Sequence, residues 1–557
     1  MSQTKKVGNL KELLCSNVER YGDANLYAWT EGKEERFMSY NGFQAEVNAV
    51  GTAFAKLGLM GGHIAVIGEA HPAYVATYYA AANGGGVIVP LDKEITDEEV
   101  ANFLNISDAK AVVYTPGQND RIIHLADRCP GVQYFIPVDA TNESTECDRK
   151  LPYYDLVQMG KDALTEGNRG FVDHVVDSSK MCSILFTSGT TGTSKGVMLS
   201  HHNLAHNTMS AAKAMRNFPA GTRLMSVLPM HHTYEFTCVH MAAHIIGANI
   251  FMNDDLKYVS RNIKAWQPEV LVLVPLFVET MHRRVWDGIR EKGAEGKVKK
   301  VMKITGVLNK VKIDLRKKLF AQIREAFGGK LGAIVCGAAP LAPHLITDFR
   351  AFGINILEGY GITECSPLVA VNEFGKERLK SVGTVVDYCQ VKIDKEDADS
   401  GEILVKGDNV MMGYYKNPEV TAEVFTEDGW FRTGDIGHLD KDGYLFITGR
   451  KKNIIILSNG KNIYPEEIEE YLTPCELFAE VIVVGREKEG QPVITAAIYP
   501  DPEKFEGKSD EEIRTAVKDA IDEINEKLPQ FKKVRNIEIR RTEFEKTTTK
   551  KIKRHKV

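Results

Sequence analysis

Residues 181–197 read Met181-Cys-Ser-Ile-Leu-Phe-Thr-Ser-Gly-Thr-Thr-Gly-Thr-Ser-Lys-Gly-Val197, and the reading of this stretch decides the fold. It opens with a short apolar run, Ile184 to Phe186, that predicts a buried strand. It then breaks into a loop with three glycines, four threonines, two serines and one lysine. Glycines let a backbone approach a ligand closely and turn its N–H groups inward. Hydroxyls add donors for phosphate oxygens, and Lys195 adds a mobile positive charge. The stretch therefore predicts a polyphosphate site. It is not a Walker A loop, because Ser194 rather than Gly precedes Lys195.

The chain has 557 residues, 43% of them hydrophobic, which allows several domains with large cores. A net charge of -5 excludes the strongly basic nucleic-acid-binding class. The nine cysteines are scattered without a C-x-x-C, as expected of reduced thiols in a cytoplasmic protein. Met1 to Leu14 is polar and lacks a signal-peptide core, and no long apolar run predicts a membrane-spanning helix. Nothing in the composition specifies an oligomeric state.

Outward from the loop, short apolar strands alternate with helices. His63 to Gly68, Gly86 to Pro90, Ala111 to Tyr114 and Val132 to Ile136 read as strands, and Pro72 to Ala82 as a helix. That alternation predicts a largely parallel sheet with covering helices. Ser200 is an expected N-cap for a helix running to about Arg216. Arg283 to Phe320 is helical in pattern and basic, with thirteen Lys and Arg against four acids between 283 and 318. From Val382 short strands alternate with Gly and Asp turns, which predicts a β subdomain. Beyond the charged joint Gly449-Arg-Lys-Lys-Asn453 the pattern is strand, helix, strand, strand, helix, strand, with Ser509 to Glu512 as a capping box.

The run T-S-G-T-T-G-x-x-K-G-V from Thr187 to Val197 resembles the phosphate loop of the adenylate-forming (AMP-binding) superfamily, which holds acyl-CoA ligases, peptide-synthetase adenylation domains and luciferases. Other segments resemble its motifs in the same order. These are Gly337-Ala338-Ala-Pro340, Glu358-Gly359-Tyr360-Gly361-Ile-Thr363-Glu364, Thr433-Gly-Asp435 and Ile447-Thr-Gly-Arg450. The resemblance implies that Ser188, Gly189, Thr190, Thr191, Gly192, Thr193 and Lys195 cradle ATP phosphates, and that Thr187 and Glu364 hold Mg²⁺. It implies that Tyr360 packs on adenine, beside Gly337, Ala338, Glu358, Gly359 and Gly361, and that Thr363 bonds the α-phosphate. Asp435 would accept both ribose hydroxyls, backed by Ile447 and Arg450. Lys452 matches the hinge, and Gly460 the glycine loop that faces the pantetheine arm of CoA. The tail Lys546-Thr-Thr-Thr-Lys-Lys-Ile552 is similar to P-K-T-x-x-G-K-I, with Glu545 in place of Pro and Lys550 in place of Gly. It aligns Lys551 with the lysine that bridges carboxylate and phosphate, with Lys550 as the competing neighbour. His232 aligns with the position near the acyl carboxylate, and the adjacent His231 leaves that register open.

The implied fold is α/β. A large N-terminal domain, residues 1–450, has two α/β sheet subdomains and a small β-barrel-like subdomain; a smaller, mobile α+β C-terminal lid spans residues 451–557. Met230-His-His-Thr-Tyr-Glu235 and the basic insert resemble long-chain fatty acid–CoA ligases. The implied reaction activates a fatty acid with ATP, releases pyrophosphate, and transfers the acyl group to CoA. Two alternatives stay open: acyl carrier protein as acceptor, and a regulator that binds nucleotide or acyl groups without turnover. The basic face suits peripheral contact with an anionic inner membrane surface, and equally a solvated hairpin.

Overall fold

A computed structural model describes residues 7–139, 147–187, 194–253, 255–311, 313–395, 400–457, 461–488, 491–546 and 552–557. The alternating strands and helices build two large sheets. The first has seven strands in the order Gly413–Tyr414, Lys195–Ser200, Met181–Thr187, Val87–Leu91, His63–Ile67, Ala109–Tyr114 and Tyr134–Pro137. The last five are parallel. All twelve residues of the helix Pro72–Asn83 are buried, as a helix needs to be when it is covered on every side.

The second sheet has nine strands. Its parallel centre runs Asn355–Gly361, Ala333–Cys336, Val270–Leu273, Arg223–Ser226, Asn249–Met252 and Asn25–Glu31. Antiparallel strands extend both edges. The helix His201–Ala214 packs against both sheets and is capped by Ser200, which forms a capping box with Asn203. Its buried Asn207 donates to the carbonyls of Cys365 and Leu368 and accepts from Leu368 N–H at 3.0 Å. These bonds satisfy a buried amide and fix the turn after Gly361 to the helix.

A four-stranded antiparallel sheet follows, in the order Cys389–Lys395, Gly401–Gly407, Phe431–Leu439 and Leu445–Arg450. The final elements form a unit with its own core. Ile455, Ile463, Ile468, Leu472, Val483, Ile494, Val517 and Ile521 cluster there. Each such buried aliphatic side chain contributes about 1.5–3 kcal/mol, enough together to hold a small unit. Its helix Asp510–Glu526 starts at Ser509 with the expected capping box.

Candidate active site

The phosphate-loop stretch sits on a β-hairpin. Met181–Thr187 pairs antiparallel with Lys195–Ser200, and Thr187 stands directly across from Lys195. The sequence reading ran the loop on past Lys195; the structure instead makes Lys195 the first residue of a strand. The Thr187 hydroxyl donates to the Lys195 carbonyl at 3.4 Å. Ser188, Gly189, Thr190, Thr191, Gly192 and Thr193, as well as Gly460, Lys550 and Lys551, lie outside the described residues.

Next to the hairpin, Gly413–Tyr414 pairs with the Lys195–Ser200 strand. The Lys195 ammonium lies over the Tyr414 ring, 5.1 Å from its centroid. The Tyr414 hydroxyl in turn donates to Glu364 Oε1 at 3.0 Å. Burial, together with the neighbouring Glu364 carboxylate, pushes the Tyr414 phenol well above its ordinary range, so it stays a donor. Tyr414 thus links two expected site residues that lie 169 positions apart, and sequence reasoning missed it. Only its aromatic ring beside a glycine marked it, and no motif covers that segment.

Glu358, Gly359, Tyr360 and Gly361 form the end of the strand Asn355–Gly361. Pairing with Leu368–Val371 extends it. At Gly361 a Cβ would lie 2.3 Å from the Pro367 carbonyl oxygen, so only glycine fits. Thr363 opens the short turn Thr363–Cys365, which presents Glu364. Glu358 is pushed up to about 8, first by burial and then by Glu470 of the C-terminal unit. Gly337 and Ala338 follow the strand Ala333–Cys336. A Cβ on Gly337 would lie 3.2 Å from both the Gly359 carbonyl and the Tyr234 ring, and Ala338 adopts a left-handed φ of 74°.

The residues expected at the ribose interlock. The Tyr360 hydroxyl donates to Asp435 Oδ2 at 2.7 Å, and Arg450 Nε lies 3.0 Å from Asp435 Oδ1. Asp435 and Arg450 are register partners on adjacent strands. Asp435 is 4% exposed, so these donors take the place of water around its carboxylate. A carboxylate offers about four lone-pair sites, which leaves two for a diol. Ile447 sits on the Arg450 strand, partly buried against the core. Lys452, in the turn Lys451–Asn453, is exposed. Partial desolvation by its neighbours lowers its pKa, with Arg450 adding to the effect, and charges from both units act on it: Asp435 on one side, Arg554 and Glu466 on the other.

His232 is half-buried at the N-terminal boundary of the helix Thr233–Thr237, its ring 4.0 Å from that of His231. His231 turns toward Asp92, at 3.5 Å, and burial pushes it down to about 3. The two histidines therefore separate, with His231 packed against the first sheet. On the same helix, Glu235 is fully buried. It accepts from the Ser226 hydroxyl at 2.6 Å and is pushed up to about 8 by burial.

An apolar cavity opens beside the nucleotide residues. Gly337, Ala338, Gly359, Tyr360 and Gly361 line it from one side. Ala211, Ala214, Met215, Tyr234, Cys238, Val272 and Leu368 line it from the others.

The chain is 30% identical over 495 residues to the long-chain-fatty-acid–CoA ligase FadD15 of Mycobacterium bovis, covering 85% of this chain and 78% of that protein. It is 30% identical over 473 residues to long-chain-fatty-acid–CoA ligase 5 of Rattus norvegicus, covering 79% of this chain and 67% of that protein. Its fold is similar to that of the anthranilate CoA ligase AuaEII solved with anthranoyl-AMP. The TM-score is 0.77 and the identity 19%, over 98% of this chain and 96% of that one. Residues 15–415 match the AMP-binding enzyme family and residues 452–557 the AMP-binding enzyme C-terminal domain, so the chain belongs to the AMP-binding enzyme family.

Proposed function

We propose that the protein is an AMP-forming ligase that converts a fatty acid, of the long-chain class, to its CoA thioester. The observation that carries this reading is the apolar cavity that shares Gly337, Ala338 and Gly359 to Gly361 with the nucleotide platform. An acyl chain in the cavity would place its carboxylate where the α-phosphate of ATP is expected. The carboxylate oxygen attacks that phosphorus and pyrophosphate leaves. The CoA thiolate then attacks the acyl carbon and AMP leaves.

Each residue has a task in this scheme. Lys195 faces the phosphates, and Tyr414 holds it in line with Glu364. Thr187 and Glu364 offer hard oxygens beside a cation, a donor set that fits Mg²⁺. Bound there, Mg²⁺ would neutralise phosphate charge. Asp435 accepts the ribose hydroxyls while Tyr360 and Arg450 keep it oriented. His232 lies near the acyl carboxylate, and Lys551 bridges carboxylate and phosphate from the C-terminal unit. Residues 451–557 act as a lid that pivots at Lys452 and brings Gly460 to the site for the thiol step.

Acid-dependent exchange of labelled pyrophosphate into ATP, run from acetate to stearate, tests the reading. Exchange is expected with long straight-chain acids, and thioester with CoA rather than with acyl carrier protein. No exchange with any acid, in protein shown to bind ATP, would favour the regulator.

The basic segment supports a peripheral membrane contact as well. In the helix Glu295–Lys310 and just beyond it, Ile304, Val307, Val311 and Ile313 are 48–65% exposed, beside Lys299, Lys300 and Lys303. Exposed aliphatics flanked by lysines suit an anionic bilayer, which supplies both apolar depth and negative charge. Among the described residues, no helix is long and apolar enough to cross a membrane. Flotation with anionic vesicles, lost in Val307→Asp and weakened by salt, checks this contact.

A further inference from the structure

The helix His201–Ala214 directly follows the phosphate hairpin. Its first turns carry His202 and His206, whose i,i+4 spacing puts both rings on one face. The ring centroids are 4.0 Å apart. Asp408, just past the strand Gly401–Gly407, faces them. His202 Nε2 lies 3.2 Å from Asp408 Oδ1, and His206 Nε2 lies 4.0 Å from Oδ2. The three ligand atoms all lie within 4.8 Å of one another. Tetrahedral Zn²⁺ with bonds of about 2.0–2.2 Å sets its ligands roughly 3.3–3.6 Å apart. Closing separations of up to 4.8 Å to that spacing takes side-chain shifts on the order of 1 Å.

His206 Nδ1 lies 2.9 Å from the His202 carbonyl oxygen. A carbonyl only accepts, so Nδ1 carries a proton and Nε2 is the nitrogen that faces Asp408. An N–H···O=C bond at the far nitrogen is the usual way to orient a metal-ligating imidazole. The backbone is also braced. Asn203 Nδ2 donates to the carbonyls of Asp408 and Val410 at 2.8 and 2.9 Å, and Asp408 N–H donates to the Tyr388 carbonyl at 2.9 Å. The His206 side chain is 3% exposed, while those of His202 and Asp408 are 39% and 44% exposed, which gives one inner ligand and an open outer side.

We propose that His202, His206 and Asp408 bind one divalent transition-metal ion of the Zn²⁺ class, with water completing the shell. Two imidazoles and a carboxylate select this class over Mg²⁺ or Ca²⁺, which prefer all-oxygen sites. The ion is structural. It ties the helix that follows the hairpin to the segment that leads into Tyr414. Within that segment Met411 N–H donates to the Glu364 carbonyl at 2.8 Å, and Met412 N–H to the Met198 carbonyl at 2.9 Å. Both ends of the Tyr414 brace are thus attached to residues around the metal.

The test titrates chelator-treated, nucleotide-free full-length protein with Co²⁺. One Co²⁺ per chain with the visible bands of a four-coordinate site is expected, displaced by Zn²⁺, and Zn²⁺ is expected to raise Tm. His206→Ala changes a buried position and could unfold the chain, so the surface variants His202→Ala and Asp408→Ala decide. Loss of the bands and of the Zn²⁺-dependent rise in both supports the site. No bands in the wild type, or equal bands and stoichiometry in the variants, overturns it.

Discussion

Asp435 in the large domain, buried, and Glu469 in the C-terminal unit, partly buried, both stand beside an arginine, yet their partners do different work. Asp435 joins Tyr360 of the nine-stranded sheet to Arg450 of the four-stranded sheet. Glu469 accepts from Val483 N–H at 2.6 Å and pairs with Arg554, so its bonds stay inside the C-terminal unit. Arg554 stands three residues beyond Lys551, and its pairing staples the tail to its own unit. Between the two regions run exposed ion pairs, Arg290–Glu476 at 3.1 Å and Lys380–Glu470 at 2.6 Å. Such pairs contribute about 0–1 kcal/mol each. The large domain's acid joins two sheets; the smaller unit's acid holds Arg554, three residues past the Lys551 that this unit carries.

The strongest attempt to break this comparison removes the carried group. Lys551→Ala is expected to lower pyrophosphate exchange by about 10²–10³-fold, the usual loss for one charge-stabilising donor, while ATP binding persists. Full exchange in that variant would move the role to Lys550 or out of the tail. The fixed region answers to Asp435→Ala. Charge-assisted hydrogen bonds of about 1.5–3 kcal/mol predict a loss of roughly 10–150-fold in kcat/KM for ATP. The orphaned Tyr360 and Arg450 should also lower Tm. An unchanged KM for ATP would remove Asp435 from the ribose site.

Gly449→Ala probes the joint. A Cβ there would lie 2.7 Å from Glu466 Oε2 and 3.2 Å from Tyr464 Cβ, both in the C-terminal unit. Overpacking of about 1–3 kcal/mol in this one docking should change the ratio of exchange rate to thioester rate by roughly tenfold. Equal changes in both rates would show that the units do not re-dock between steps.

The smallest effect is in stability against pH. Glu469 is pushed up to about 7 by burial and Glu235 to about 8. A carboxyl raised in the folded state binds more protons there than in the unfolded chain. Its contribution therefore falls as pH rises from the ordinary carboxylate range toward the folded value. The buried His231 and His240, both pushed down to about 3, act with the opposite sign below their ordinary value near 6.5. Between about pH 7 and 8 the decline belongs to the large domain, through Glu235 and Glu358. Glu235→Gln is expected to flatten it by up to about 1.4 kcal/mol per pH unit, read by denaturant melts. An unaltered slope would mean that Glu235 is ionised in the folded protein.

Much of this was legible in the sequence because local chemistry announced it. The strand Met181–Thr187, the capping boxes at Ser200 and Ser509 and the order of elements after Arg450 follow from short-range pattern. The Tyr360–Asp435–Arg450 contact brings together motifs whose expected roles converge on one nucleoside. Other features depend on pairing between distant segments. Lys195 and Gly196 read as loop because charge and glycine are poor strand signals. They become strand by pairing with Thr187 and Phe186. Tyr414 gains its place from a partner strand more than two hundred residues earlier. The buried contact of Glu235 with Ser226 needs a helix to fold back over the strand before it. No local pattern predicts burial of a charged residue type.

The pairing of Thr187 with Lys195 has a consequence for how this chain can change over generations. Seven residues join two strands whose register places Val197 and Leu199 in the core. Exchanging one of the seven for another small residue leaves that register alone. A change that shifted the pairing by one position would turn those core residues outward. Descendants of this sequence can therefore respell the connecting residues letter by letter, while the Thr187–Lys195 register is inherited unaltered.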